Sequence, residues 1–174
     1  NPADGQLYVT GLKGWQTTAA RDGAVQRVRY TGKPLVMPIG LKADADGLAV
    51  TFSAPLDKEA AVDADNYAAE RWNYLWSSAY GSPQVSVEDP KRRERDPVDI
   101  EAAAVSDDGR TVTLKVADMK PAMQYKVQLD GKAADGTAFE WTLYNTVNTT
   151  GPDSKPPGVM PAEIKPPDAD RIAR

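Results

Sequence analysis

Four aromatic residues close together, Trp72, Tyr74, Trp76 and Tyr80, come nearest in this chain to the outline of a binding device. Side chains on an extended strand alternate between its two faces, so Trp72, Tyr74 and Trp76 fall on one side. Flat aromatic faces stack on sugar rings or peptide side chains, which makes the run a candidate carbohydrate platform. Large amphipathic rings also fill the junction between a domain and its neighbour, and burial is their commoner fate, so packing is the favoured account.

The run KRRER, with Arg92 and Arg93 at its centre, suggests phosphate or nucleic-acid contact. Between Glu88 and Asp99, however, four basic residues stand against five acidic ones. That balance describes a solvated, ion-paired loop whose Arg forks can also grip a partner's carboxylates. Asp44 with Asp46 and Asp63 with Asp65 form two D-x-D pairs, a pattern that calcium uses. Neither has the spacing of a calcium-binding loop, and turn and cap chemistry accounts for both. Glu70, Glu101 and Glu140 lie on expected strands, but unpaired carboxylates in an acidic chain specify no acid–base site.

The 174 residues include no cysteine and no histidine. Thiolate nucleophiles, Ser-His-Asp triads, the usual zinc sites and covalent haem attachment all need one or the other. No catalytic residue, metal or cofactor is therefore assigned. A formal charge of −4 argues against nucleic acid as a partner, and no apolar run is long enough for a membrane span.

The elements that would position these residues are strands. Asp-Gly occurs six times, at 4–5, 22–23, 46–47, 108–109, 130–131 and 135–136, and each pair signals a turn. Between them run segments of period two: Leu48, Val50 and Phe52; Val112, Leu114 and Val116; Tyr125, Val127 and Leu129; Phe139, Trp141 and Leu143. Helix is confined to a turn or two after Asp57, which has the N-cap chemistry. Tyr67 to Trp76 reads as a strand followed by a long polar excursion over Ser77 to Asp96. Six prolines in the last 24 residues predict an extended tail.

Two family resemblances cover different parts of the chain. VTFSAPLDKEAAVDADNY and VSDDGRTVTLKVADMKPAMQYKVQLDGKAADG resemble the opening and closing halves of a bacterial immunoglobulin-like domain of the surface-layer and secreted-protein type. That resemblance implies a scaffold or spacer, not an enzyme, although the insertion between Trp76 and Val98 departs from the family. DGQLYVTGLKGW and RDGAVQRVRYTGKP resemble the closing strands of a β-propeller in the sugar or sorbosone dehydrogenase family. Propeller catalytic and cofactor residues lie mainly in blades absent here, so none carries over.

The expected architecture is all-β: closing strands of a propeller blade over 1–33, an immunoglobulin-like β-sandwich over 34–150 and a Pro-rich tail over 151–174. The alternative for the first strands is membership of the sandwich itself. The expected role is a non-catalytic accessory module of a larger extracytoplasmic protein, its partner the remainder of a polypeptide or a co-assembled subunit, with a β-propeller foremost. Carbohydrate binding by the aromatic face is the second reading. A third places the Trp15 loop, with Arg21 and Asp22, at a dehydrogenase active site completed by a propeller.

Overall fold

Apolar–polar alternation makes strands in both units of the chain and buries one face of the sheet in one of them. The computed structural model describes residues 1–14, 23–77, 80–154 and 156–157. They divide into Asn1–Leu35 and Val36–Arg174. In the first unit β1 (Leu7–Leu12) and β2 (Gly23–Val28) pair antiparallel as a two-stranded sheet, with Leu7 opposite Val28 and Val9 opposite Gln26. The ribbon is thus a sheet in its own right rather than part of the sandwich sheets.

The second unit contains β3 (Pro38–Ala43), β4 (Gly47–Phe52), α1 (Lys58–Ala61), β5 (Tyr67–Tyr74), β6 (Gln84–Val85), β7 (Asp96–Val98), β8 (Ile100–Val105), β9 (Thr111–Val116), β10 (Ala122–Lys132) and β11 (Ala138–Val147). One sheet runs β3-β4-β9-β8; the other runs β11-β10-β5-β6, with β7 also paired to β5. If β3, β4, β5, β8, β9, β10 and β11 are lettered A to G, the sheets read ABED and GFC, the immunoglobulin arrangement. Phe52, Val50, Leu114, Val112, Val127 and Leu129 close the core between them, with Phe139, Trp141 and Leu143 packed against it. Period two in the sequence therefore maps onto the inner faces of both sheets.

Tyr125 enters strand F from the preceding corner and donates its hydroxyl to the Lys120 carbonyl at 2.7 Å. This is the tyrosine corner characteristic of such sandwiches. Asp57 caps α1 by accepting from the Ala60 amide at 2.9 Å, as its position after Leu56 predicts. Asp44 and Asp63 each accept backbone amides two residues on, Asp46 at 3.0 Å and Asp65 at 3.1 Å. The D-x-D pairs are turn and cap chemistry.

Two turn signals behave differently. Gly47 adopts φ 152° with its α-carbon against β9, and a β-carbon there would sit 1.9 Å from the Leu114 carbonyl oxygen. Asp130-Gly131, by contrast, is not a turn: it lies inside β10, paired with Glu140 and Phe139. Glycine is used there because the Phe139 ring lies across it, 2.8 Å from where a β-carbon would stand.

The excursion after β5 also corrects expectation. It returns twice to β5, β6 pairing with Asn73 and Tyr74 and β7 with Ala69 to Arg71. β5 ends at Tyr74, so Trp76 lies beyond the strand it was expected to share with Trp72. Of the Pro-rich tail, residues 151–154 and 156–157 are described: Ser154 Oγ accepts from the Thr150 and Gly151 amides at 2.7 and 3.1 Å. The tail from 158 onward lies outside the described residues.

Candidate functional site

The two faces of β5 carry different chemistry because consecutive residues point oppositely. Arg71 turns inward and is 4 % exposed. Its guanidinium donates to Glu88 at 2.6 Å, to the Asp118 carboxylate at 3.1 Å and to the Asp118 carbonyl. Lys120 closes the network, 2.7 Å from Glu88 and 2.8 Å from Asp118. Two cations thus face two carboxylates beside the Tyr125 corner. The hydrogen bond from Lys120 holds the Asp118 carboxyl below the usual aspartate value; burial pushes it upward, and the hydrogen bond from Arg71 adds to the lowering. Asp118 and Glu88 in turn raise Lys120.

Asp96, 5 % exposed, anchors the excursion from the other side. It accepts from the Val87 amide at 2.5 Å and the Glu88 amide at 3.3 Å. Burial pushes its carboxyl upward, yet bonds from Ser86, Val87 and Glu88 leave it below the ordinary value. Fully buried Ser86 accepts from the Glu88 and Asp89 amides at 3.0 and 2.9 Å. A backbone turn that would otherwise bury unpaired donors is thereby satisfied.

On the outward face, Trp72 is 2 % exposed. The Arg95 guanidinium lies 4.0 Å over its ring, and Tyr74 meets it edge-on at 6.4 Å. Arg95 is itself held by Glu70 at 2.6 Å and by Gln84 at 2.8 Å. A sugar cannot stack where a guanidinium already sits, so the platform expected on Trp72 is a packed cation–π contact instead. Trp76 and Tyr80 stand clear of it, 66 % and 109 % exposed. Arg92 pairs with Glu94 at 2.5 Å and approaches Asp96 at 3.7 Å. Arg93 is exposed, and Trp15 with its loop lies outside the described residues.

The cleft bordered by Arg71, Asp99 and Asp118 measures about 100 Å³. Small-molecule sites run roughly 300–1,000 Å³, so this one accommodates little beyond water. A larger open groove of about 460 Å³ belongs to the ribbon unit, between Leu7, Val28, Tyr30 and Leu35.

No protein-family model matches the chain, and no curated protein matches it. Two solved structures do. One is a structure of surface layer protein SbsC, domains 1-6, with 20 % identity over 61 % of this chain and a TM-score of 0.41. The other is a crystal structure of the S-layer protein rSbsC, with 22 % identity over 63 % of this chain and a TM-score of 0.43. This chain spans 13 % of the length of each.

Sequence reading placed Glu88, Arg95 and Asp96 in an ion-paired loop without finding their partners, and it missed Arg71, Asp118 and Lys120. Arg71 meets Glu88 and Asp118 across 17 and 47 positions, and no local pattern announces such a pairing. Arg95, not Arg92 or Arg93, is the member of KRRER that covers Trp72.

Proposed function

We propose that this chain is a non-catalytic structural module of a larger extracytoplasmic protein, its sandwich a rigid spacer and its N-terminal ribbon a contact to further β-structure. One observation carries the reading: in residues 1–35 every described side chain except Gln6 is exposed. Leu7, Val9 and Val28 are exposed on one face of the ribbon, Tyr8 and Val25 on the other. A two-stranded ribbon is marginal in water, and apolar residues on both faces suit a strand pair enclosed within a larger sheet system. A propeller blade is one such system, and the resemblance of residues 1–33 favours it. The immunoglobulin arrangement of residues 36–147 fits the spacer role.

Amide hydrogen exchange on the 174-residue chain tests this. Amides of β1 and β2 are expected to exchange at nearly unprotected rates while those of β9 and β10 stay protected. Strong protection of the ribbon in the chain by itself would show that it needs no outside strands. A native form with no covalent or tightly bound β-structure beyond these residues would count equally against the module.

A further inference from the structure

The ribbon carries a charge pattern unlike the rest of the chain. Residues 1–35 hold five Lys or Arg against two Asp, whereas residues 36–174 hold 16 against 23 Asp or Glu. The ion pairs of the described residues all lie between Asp57 and Lys132. Among the described residues, Lys13, Arg27, Arg29 and Lys33 therefore take part in none. The one described carboxylate of the unit, Asp4, is occupied by the Tyr8 hydroxyl at 2.7 Å and the Gln6 amide at 3.0 Å.

Arg29 and Lys33 border the 460 Å³ groove whose walls are Leu7, Val28, Tyr30 and Leu35. The Tyr30 hydroxyl donates to the Lys33 carbonyl at 3.1 Å, which fixes the turn carrying both cations. An apolar groove rimmed by unmatched cations is complementary to a segment that is apolar and acidic together. Among the described residues the outer edges of β1 and β2 pair with no further strand and so supply backbone donors and acceptors as well.

Resting on the module reading above, we infer that the ribbon groove takes an extended acidic strand of a partner polypeptide, apolar side chains in the groove and carboxylates on Arg29 and Lys33. Anionic lipid shares the charge complementarity but leaves the ribbon's open edges without hydrogen-bond partners, which hydrocarbon cannot supply. A peptide strand satisfies both, by adding to the sheet edge.

The test is selection by the full chain from a displayed library of random peptides of about ten residues, a strand's length. Bound sequences are expected to be enriched at least threefold in Asp and Glu, alternating with apolar residues. Arg29→Glu with Lys33→Glu, both at exposed positions, is expected to switch the enrichment to Lys and Arg. Selection without acidic enrichment, or acidic enrichment that survives the double reversal, overturns the inference. Co-sedimentation with phosphatidylglycerol vesicles but not phosphatidylcholine ones, lost on the same reversal, would assign the groove to lipid and overturn it too. Failure here with unprotected β1–β2 amides rejects the acidic partner alone; protected amides reject the module reading beneath it.

Discussion

The sandwich and the ribbon are built from the same kind of strand and differ in what happens to each side chain. In the sandwich, Arg71 meets two carboxylates, Asp96 caps a buried turn and Arg95 covers Trp72. In the ribbon, Val25 is 76 % exposed and Tyr30 80 %, and no described cation has a counter-ion within the ion pairs. Alternating sequence specifies a strand; only the second layer, and the charges that close its corners, turn a strand into a self-sufficient body.

That contrast is best broken by matched substitutions. Trp72→Ala should have the largest effect, lowering unfolding free energy by about 3 kcal/mol in urea titration, because it removes a fully covered ring and the surface on which Arg95 lies. If the cost is below about 0.5 kcal/mol, the value typical of exposed sites, the outward face of β5 is not a packed surface. Arg71→Met should cost about 2 kcal/mol, less than a deeply buried pair, because Glu88 and Asp118 are 40 % and 59 % exposed and keep part of their hydration.

Proton linkage gives a smaller signal of defined sign. Asp96 and Asp118 titrate below the ordinary 3.8 when folded, so the unfolded chain takes up protons first. Their contribution is full above that value and disappears as pH falls through the lower folded values. The thermal midpoint should therefore fall below about pH 4, and Lys120→Met should make the fall shallower by weakening the hold on Asp118. At the alkaline end Tyr67 is pushed up to about 12 by burial and then by Asp63. Its contribution is full below 10 and is lost between 10 and 12; Tyr67→Phe should remove that limb of the curve. The smallest effect belongs to the ribbon: Tyr30→Ala should change stability by no more than about 0.5 kcal/mol, and a larger loss would show that the ribbon has packing of its own.

The inner faces were legible because the core needs nothing beyond period two and β-formers, as with Leu48, Val50 and Phe52. The Asp57 cap was legible because it is local. Asp130-Gly131 misled because a glycine that makes room for an aromatic ring has the same letters as a glycine that turns. The site was mostly illegible. Trp72 stood out by type, but its fate depended on Arg95, 23 positions away and placed there only by the register of β6 and β7. Arg71 had no signature, since its partners come from two loops joined only in the finished fold.

The two short returns of the excursion to β5 also shape the edge of their sheet. A C strand left bare presents a row of backbone donors and acceptors to any neighbouring chain. Here β6 and β7 split that row between them, and the proline of β7, Pro97, has no N–H to donate. The edge of this sheet is therefore carried by two short segments rather than one long bare strand, and a neighbouring strand has little to zip onto along it.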